Sequence, residues 1–172
     1  PACDSAAVAR ILTRTPTSFV KWDARPPNAV VSPQGEIGWF DWEHCGTRNR
    51  LDDLVWFLGD DSIIDRPGDE LRLLNRWVPR YDEGGYPAGP ADYMMTMGAL
   101  HCVVRLANQV SSASRAQNPG DWRTALAGRG PDTLSGSGMR MARRGLRWAE
   151  KSSALQPLAP WLRAIRERFS AA

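Results

Sequence analysis

The residues of this chain best suited to chemistry are Asp23 and Asn28, separated by four residues in "KWDARPPN", and a second aspartate, Asp41, in "FDWE". An amide oxygen and a carboxylate suit a hard cation such as Mg²⁺, which takes few protein oxygens and completes its shell with substrate phosphates. A further carboxylate within reach, here Asp23, then receives the proton of an attacking hydroxyl. Asp-x-x-x-x-Asn followed by a metal-binding Asp is the arrangement that serves phosphoryl transfer in kinases.

For these three side chains to meet, the elements around them must be short strands. "SFVKW" (18–22), "NAVVS" (28–32) and "EIGWF" (36–40) each read as a strand, with Pro33 and Gly35 in "SPQGE" turning the chain between the last two. If those two pair as a hairpin, Asn28 and Asp41 lie at its same open end, thirteen positions apart in sequence. Before this region, "DSAAVARILTR" (4–14) opens on an Asp/Ser cap and carries Val8, Ile11 and Leu12 at helical spacing. From Arg50 onward five segments are helical: 50–60, 68–81, 89–114, 138–152 and 158–170. Turn-rich stretches, "DEGGYPAGP" and "AGRGPDTLSGSG", separate them. The expected fold class is α+β and mostly helical, with a small hairpin region carrying the reactive loops.

The segment 18–58 resembles the aminoglycoside phosphotransferase and choline kinase family of the protein-kinase-like fold. That family carries a stretch like H-G-D-L-H-x-x-N, a hairpin, and then I-D-W-E-x-x-G-x-G-D-P-x-x-D-L-A. This chain has "KWDARPPN", "AVVSPQGEIGWF" and "DWEHCGTRNRLDDLVWFL" in the same order. The resemblance implies that Asp23 is the catalytic base, Asn28 and Asp41 are Mg²⁺ ligands, and Asp53 braces the catalytic loop from the following helix. It implies a C-terminal lobe over 1–172, with the catalytic and metal loops at 18–58 and a helical subdomain at 59–172. The activity implied is transfer of the γ-phosphoryl of ATP or GTP to a hydroxyl of an aminoglycoside-like, sugar or amino-alcohol acceptor. Three departures stand in the motif: Lys21 replaces His, Trp22 replaces Gly, and "RNR" (48–50) replaces G-D-P.

Arg25 adds a planar fork two positions after the base, a shape that matches phosphate oxygens. Asp82 and Glu83 are weaker candidates, as acidic contacts for a cationic acceptor, against the plainer reading of loop acids at a helix end. A kinase also needs a nucleotide lobe with a Lys positioned on the phosphates, and only 22 residues precede Asp23. That N-terminal lobe is expected from the rest of a longer chain or from a partner chain. The surface it leaves bare makes a homodimer an open alternative. "GRG" (128–130) and "GSG" (136–138) read as loops and not as phosphate cradles.

Other features are read more plainly. Three cysteines without a C-x-x-C pair are expected to stay reduced, and the absence of any long apolar run or opening signal segment gives a cytoplasmic location as the default. The pairs His44-Cys45 and His101-Cys102 are poorly arranged for zinc, because neighbouring residues point in different directions. Arg140, Arg143, Arg144 and Arg147 form a stripe expected to be a solvated helix face, and with a net charge of only +3 nucleic acid is not the expected partner. Most of the eight tryptophans are expected in the core, Trp56 among them. The alternative to an enzyme is a non-catalytic kinase-like helical module that serves as a binding or regulatory surface.

Overall fold

A computed structural model of the chain describes residues 3–13, 16–82, 84–115 and 131–170. The fold is α+β and mostly helical. Helix α1, Ser5–Leu12, begins where the Asp4 carboxylate accepts from the amides of Ala6 and Ala7 at 2.9 and 3.1 Å, two of the donors that a helix start leaves free. Strands β2, Ala29–Val31, and β3, Ile37–Trp39, form the expected hairpin, with Val31 opposite Ile37. Its turn is closed by Ser32 and Glu36, and Gly35 adopts the positive φ of +83° that the reversal needs.

Strand β1, Thr17–Val20, ends two residues earlier than the sequence pattern predicts. Trp22 and Asp23 take positive φ values of 46° and 49°, which turns the chain out of the strand. Its partner is not the hairpin but a fourth strand, β4, Gly46–Asn49, paired antiparallel from Thr17↔Asn49 to Val20↔Gly46. "GTRN" has no apolar alternation, so period-two patterning does not reveal it. The β1–β4 pair and the hairpin thus form two separate two-stranded sheets that flank the Asp23 loop.

Behind them lie α2, Asp52–Gly59; α3, Pro67–Trp77; α4, Gly89–Arg115; α5, Pro131–Lys151; and α6, Ala159–Ser170. Helix α5 starts seven residues before the expected 138, so "GSG" (136–138) is helical and not a loop. Pro131 supplies a favourable first-turn residue, and tertiary packing outweighs a glycine cost of about 1 kcal/mol each. Helices α4 and α5 run antiparallel: Thr96 meets Ser152, Gly98 lies under Trp148, and Cys102 faces Gly145. Glycine at 98 and 145 is what allows this approach, because a Cβ at 98 would enter the Trp148 ring. The core they build includes Leu51, Val55, Met94, Met141, Trp148 and Leu162. Among the described residues no helix is long and apolar enough to cross a membrane.

Candidate functional site

Asp23 sits on the loop after β1, almost wholly buried. Both carboxylate oxygens are engaged. Oδ2 accepts from the Asn28 amide nitrogen at 2.8 Å, and Oδ1 lies 2.7 Å from Arg25 Nε, a close ion pair in poor hydrogen-bond alignment. Asn28 also donates to the Asp23 carbonyl at 3.0 Å. Its Nδ2 is therefore committed to Asp23, and Oδ1 is the part of the amide that is left to serve a cation.

Asp41 stands one residue beyond the last hairpin rung, since Phe40 N donates to Asn28 O at 3.1 Å. Asn28 and Asp41 do lie at the same end of the hairpin. Asp41 has a φ of +59° and an exposed side chain, so one ligand position is buried and the other faces solvent. A non-glycine residue held at positive φ is costly. Three of them, Trp22, Asp23 and Asp41, fall within the two loops that sequence reasoning had singled out.

The loops are tied to each other by Lys21. Its ammonium, nearly fully buried, donates to Asp41 O at 2.9 Å and to Asp23 O at 3.3 Å, and rests 5.6 and 5.9 Å from the Trp42 and Trp39 rings. Lys21 therefore does not loosen the loop, because it holds both backbones with one cation. Trp39 and Trp42 belong to this arrangement and not to the core, which corrects the expectation for the tryptophans. Of those described, Trp148 alone is fully buried.

Asp53, half-buried at the start of α2, accepts from the Lys21 amide at 3.0 Å. Burial raises its pKa, opposed by the amides of Lys21 and Trp22 and by the Lys21 charge. The brace implied by the resemblance is thus present as a contact. The "RNR" departure has its own chemistry. Arg48 stacks 3.6 Å over Trp22, and buried Asn49 accepts from Leu51 N at 2.8 Å and from Tyr86 Oη at 3.1 Å. Next to it, burial raises the pKa of Asp52, and its partner Tyr93, which donates at 2.6 Å, is also pushed up by burial.

Arg25 is engaged on two sides, at Asp23 and at Asp60, whose Oδ2 is 3.7 Å from Nη1. Sequence reasoning missed Asp60. It lies 35 positions from Arg25 and no local pattern joins them, although the side chain is only 1% exposed. Asp82 follows the short 3₁₀ turn Val78–Tyr81 with an exposed side chain, as a loop acid ending a helix would, and Glu83 falls outside the described residues.

The arginine stripe is not a solvated face. Arg144 is 1% exposed and donates to the carbonyls of Asp60 and Ile63, and Arg140 donates twice to Asp61 O. Arg147 binds Asp65 and Glu70 at 2.7 Å, and those bonds raise its pKa although burial opposes them. Arg143 alone is exposed. Three of the four charges meet partners in "DDSIIDRPGDE" (60–70). Of the His-Cys pairs, His101 and Cys102 are buried while His44 and Cys45 are exposed. Among the described residues no three His, Cys, Asp or Glu side chains converge as a metal cage. Asn28 and Asp41 each carry an oxygen of the type that Mg²⁺ takes together with substrate phosphates. No protein-family model, curated protein or solved structure matches this chain.

Proposed function

We propose that this chain is the C-terminal lobe of a small-molecule kinase of protein-kinase-like fold, similar to aminoglycoside phosphotransferases and choline kinases. The reaction is transfer of the γ-phosphoryl of ATP or GTP to a hydroxyl of an aminoglycoside-like, sugar or amino-alcohol acceptor. The observation that carries the reading is the Asn28–Asp23 bond of 2.8 Å on a loop of positive φ, stapled by Lys21 to the Asp41 loop. An aspartate fixed by an asparagine five positions on, beside a second aspartate, supports in-line positioning of an acceptor hydroxyl.

In this reading Asp23 orients the acceptor hydroxyl and takes its proton. Asn28 and Asp41 hold Mg²⁺, which when bound neutralises charge on the phosphates. Asp53 and Lys21 keep the two loops at fixed separation, and Arg25 offers a guanidinium next to the transferring group. An N-terminal lobe, from the rest of a longer chain or from a partner chain, covers the nucleotide.

The second reading is a non-catalytic module. It is favoured by one observation, the 2.7 Å contact of Arg25 on Asp23, which occupies the oxygen that a base must offer. The test is transfer from labelled ATP and GTP by the full-length protein to a panel of aminoglycosides, sugars and amino alcohols. Transfer that depends on Mg²⁺ and is lost in Asp23→Asn supports the kinase. Nucleotide binding unaffected by Mg²⁺ or by Asp41→Asn, together with no transfer, supports the module.

A further inference from the structure

Asp60 is the most deeply buried carboxylate of the described chain, and its placement is unusual. Oδ1 accepts from the Ser62 amide at 2.8 Å and from the Ser62 hydroxyl at 2.5 Å, which fixes the side-chain rotamer. Oδ2 has no hydrogen-bond donor, although it is buried. It lies between two guanidinium groups, Arg25 Nη1 at 3.7 Å and Arg105 Nη2 at 3.9 Å. A buried carboxylate oxygen without a donor is costly and calls for an explanation. Its charge is compensated here only at ion-pair range.

The two arginines differ. Arg105 has a tight partner of its own in Asp61, at 2.7 Å. Arg25 reaches back to Asp23 and has Asp60 as its second anchor. The groups around Asp60 come from every element near it. Arg25 and Asp23 belong to the β1–β2 loop, Asp61 and Ser62 follow α2, His101 and Arg105 are on α4, and Arg144 on α5 binds the Asp60 carbonyl. His101 is held neutral, chiefly by burial and then by Arg105, so it neither competes for Asp60 as a cation nor repels Arg25.

We propose that Asp60 is a positioning residue that acts on Asp23 through Arg25. By anchoring the far edge of the guanidinium it keeps Nε against Asp23 Oδ1 and so fixes the plane of the carboxylate, whose other oxygen is fixed by Asn28. The catalytic half of this inference rests on the phosphotransferase reading, whereas the anchoring half does not.

The experiment has two arms in the full-length protein. The first follows the Arg25 Nε–H resonance by ¹⁵N NMR, assigned with Arg25→Met. Its exchange with water is expected to speed up roughly tenfold from wild type to Asp60→Asn, with a lesser effect in Ser62→Ala, which removes one of the two bonds that hold the Asp60 rotamer and keeps the charge. An unchanged rate in both variants overturns the anchoring. The second arm measures turnover of MgATP and MgGTP with water as the acceptor. Asp60→Asn is expected to lower kcat roughly ten- to a hundredfold with nucleotide KM unchanged. The double variant with Arg25→Met is expected to fall no further than Arg25→Met alone. Additive losses, or a raised KM at constant kcat, overturn the proposal. A wild type that turns over neither nucleotide and transfers to no acceptor overturns the kinase reading, while the NMR arm still decides whether Asp60 anchors Arg25.

Discussion

The hairpin end and the helical body handle charge in opposite ways. In the body, Arg140, Arg144 and Arg147 are matched to carbonyls and carboxylates of residues 60–70, and Glu70 alone accepts from Arg144, Arg147 and the Trp148 indole. At the hairpin end Lys21 is buried with no carboxylate within ion-pair range among the described residues, three non-glycine residues hold positive φ, and Phe19, Val31 and Ile37 stand more than 60% exposed. The body pairs its arginines with carbonyls and carboxylates, although Asp60 Oδ2 and Arg147 Nε keep no hydrogen-bond partner, whereas the hairpin end concentrates the strained backbone. Satisfied networks rigidify, and strain with bare apolar surface accompanies binding and chemistry.

The sharpest way to test that contrast is to change one side chain in each half and compare activity with stability. Asp23→Asn is expected to reduce phosphoryl transfer about 10³-fold while the melting temperature stays within a few degrees, because the amide keeps the size of the carboxylate. Arg144→Met should do the reverse. It leaves Glu70 short of a donor and uncovers the carbonyls of Asp60 and Ile63 in a buried setting, so a loss of about 3–5 kcal/mol in urea unfolding is expected. If Arg144→Met unfolds at the wild-type denaturant midpoint, the body is not held by its charge network and the contrast fails.

How much of this could be read from the sequence follows the same division. The hairpin, its turn and the shared end for Asn28 and Asp41 were legible, because alternation, Pro-Gly punctuation and register are local rules. Helix α5 was found but begun too late, since the glycines at 136 and 138 look like a break in the local pattern although the helix runs through them. Strand β4 was invisible, because its partner β1 lies about 30 positions away and its own four residues have no apolar face. The arginine stripe was misread for a related reason. A helix-face pattern gives the spacing of charges but not what the neighbouring segment brings to meet them. Lys21 looked like a departure from a motif, and only the positions of Asp41 O and the two indole rings explain why an ammonium can sit there.

A smaller effect should come from Gly98→Ala, which pushes α4 away from Trp148. Overpacking of about 1–3 kcal/mol is expected, reduced by about 1 kcal/mol of improved helix propensity, with no change in transfer. Comparable in size but tied to pH is His101. Burial depresses its folded-state value to about 4 from 6.5, so the stability it contributes is fully present above pH 6.5 and is lost as pH falls through 4. Asp52 and Asp53 act in the opposite sense, since burial raises their values and their contribution is lost as pH rises. The clean measurement is therefore the difference between wild type and His101→Gln. Between pH 6.5 and 4 the wild type should lose about 2–3 kcal/mol more than the variant, at about 1.4 kcal/mol per unit. Parallel curves would place His101 outside the buried, neutral setting assigned to it.

The smallest expected effect tests the other half. Val31 and Ile37 face each other across the last hairpin pair before the turn, 69% and 62% exposed. Replacing both with threonine keeps the β-branching that suits a strand and removes little buried apolar area, so unfolding free energy should stay within about 0.5 kcal/mol. If the chain works with a nucleotide lobe, the same double variant should weaken nucleotide binding although the isolated fold is indifferent to it, because the exposed pair lies on the hairpin that ends at Asn28 and Asp41. A stability loss of 2 kcal/mol or more would instead mean that these side chains are covered in solution by the chain itself or by a second copy. The hairpin end would then belong to the packed part of the molecule, and only its positive-φ residues would set it apart from the helical body.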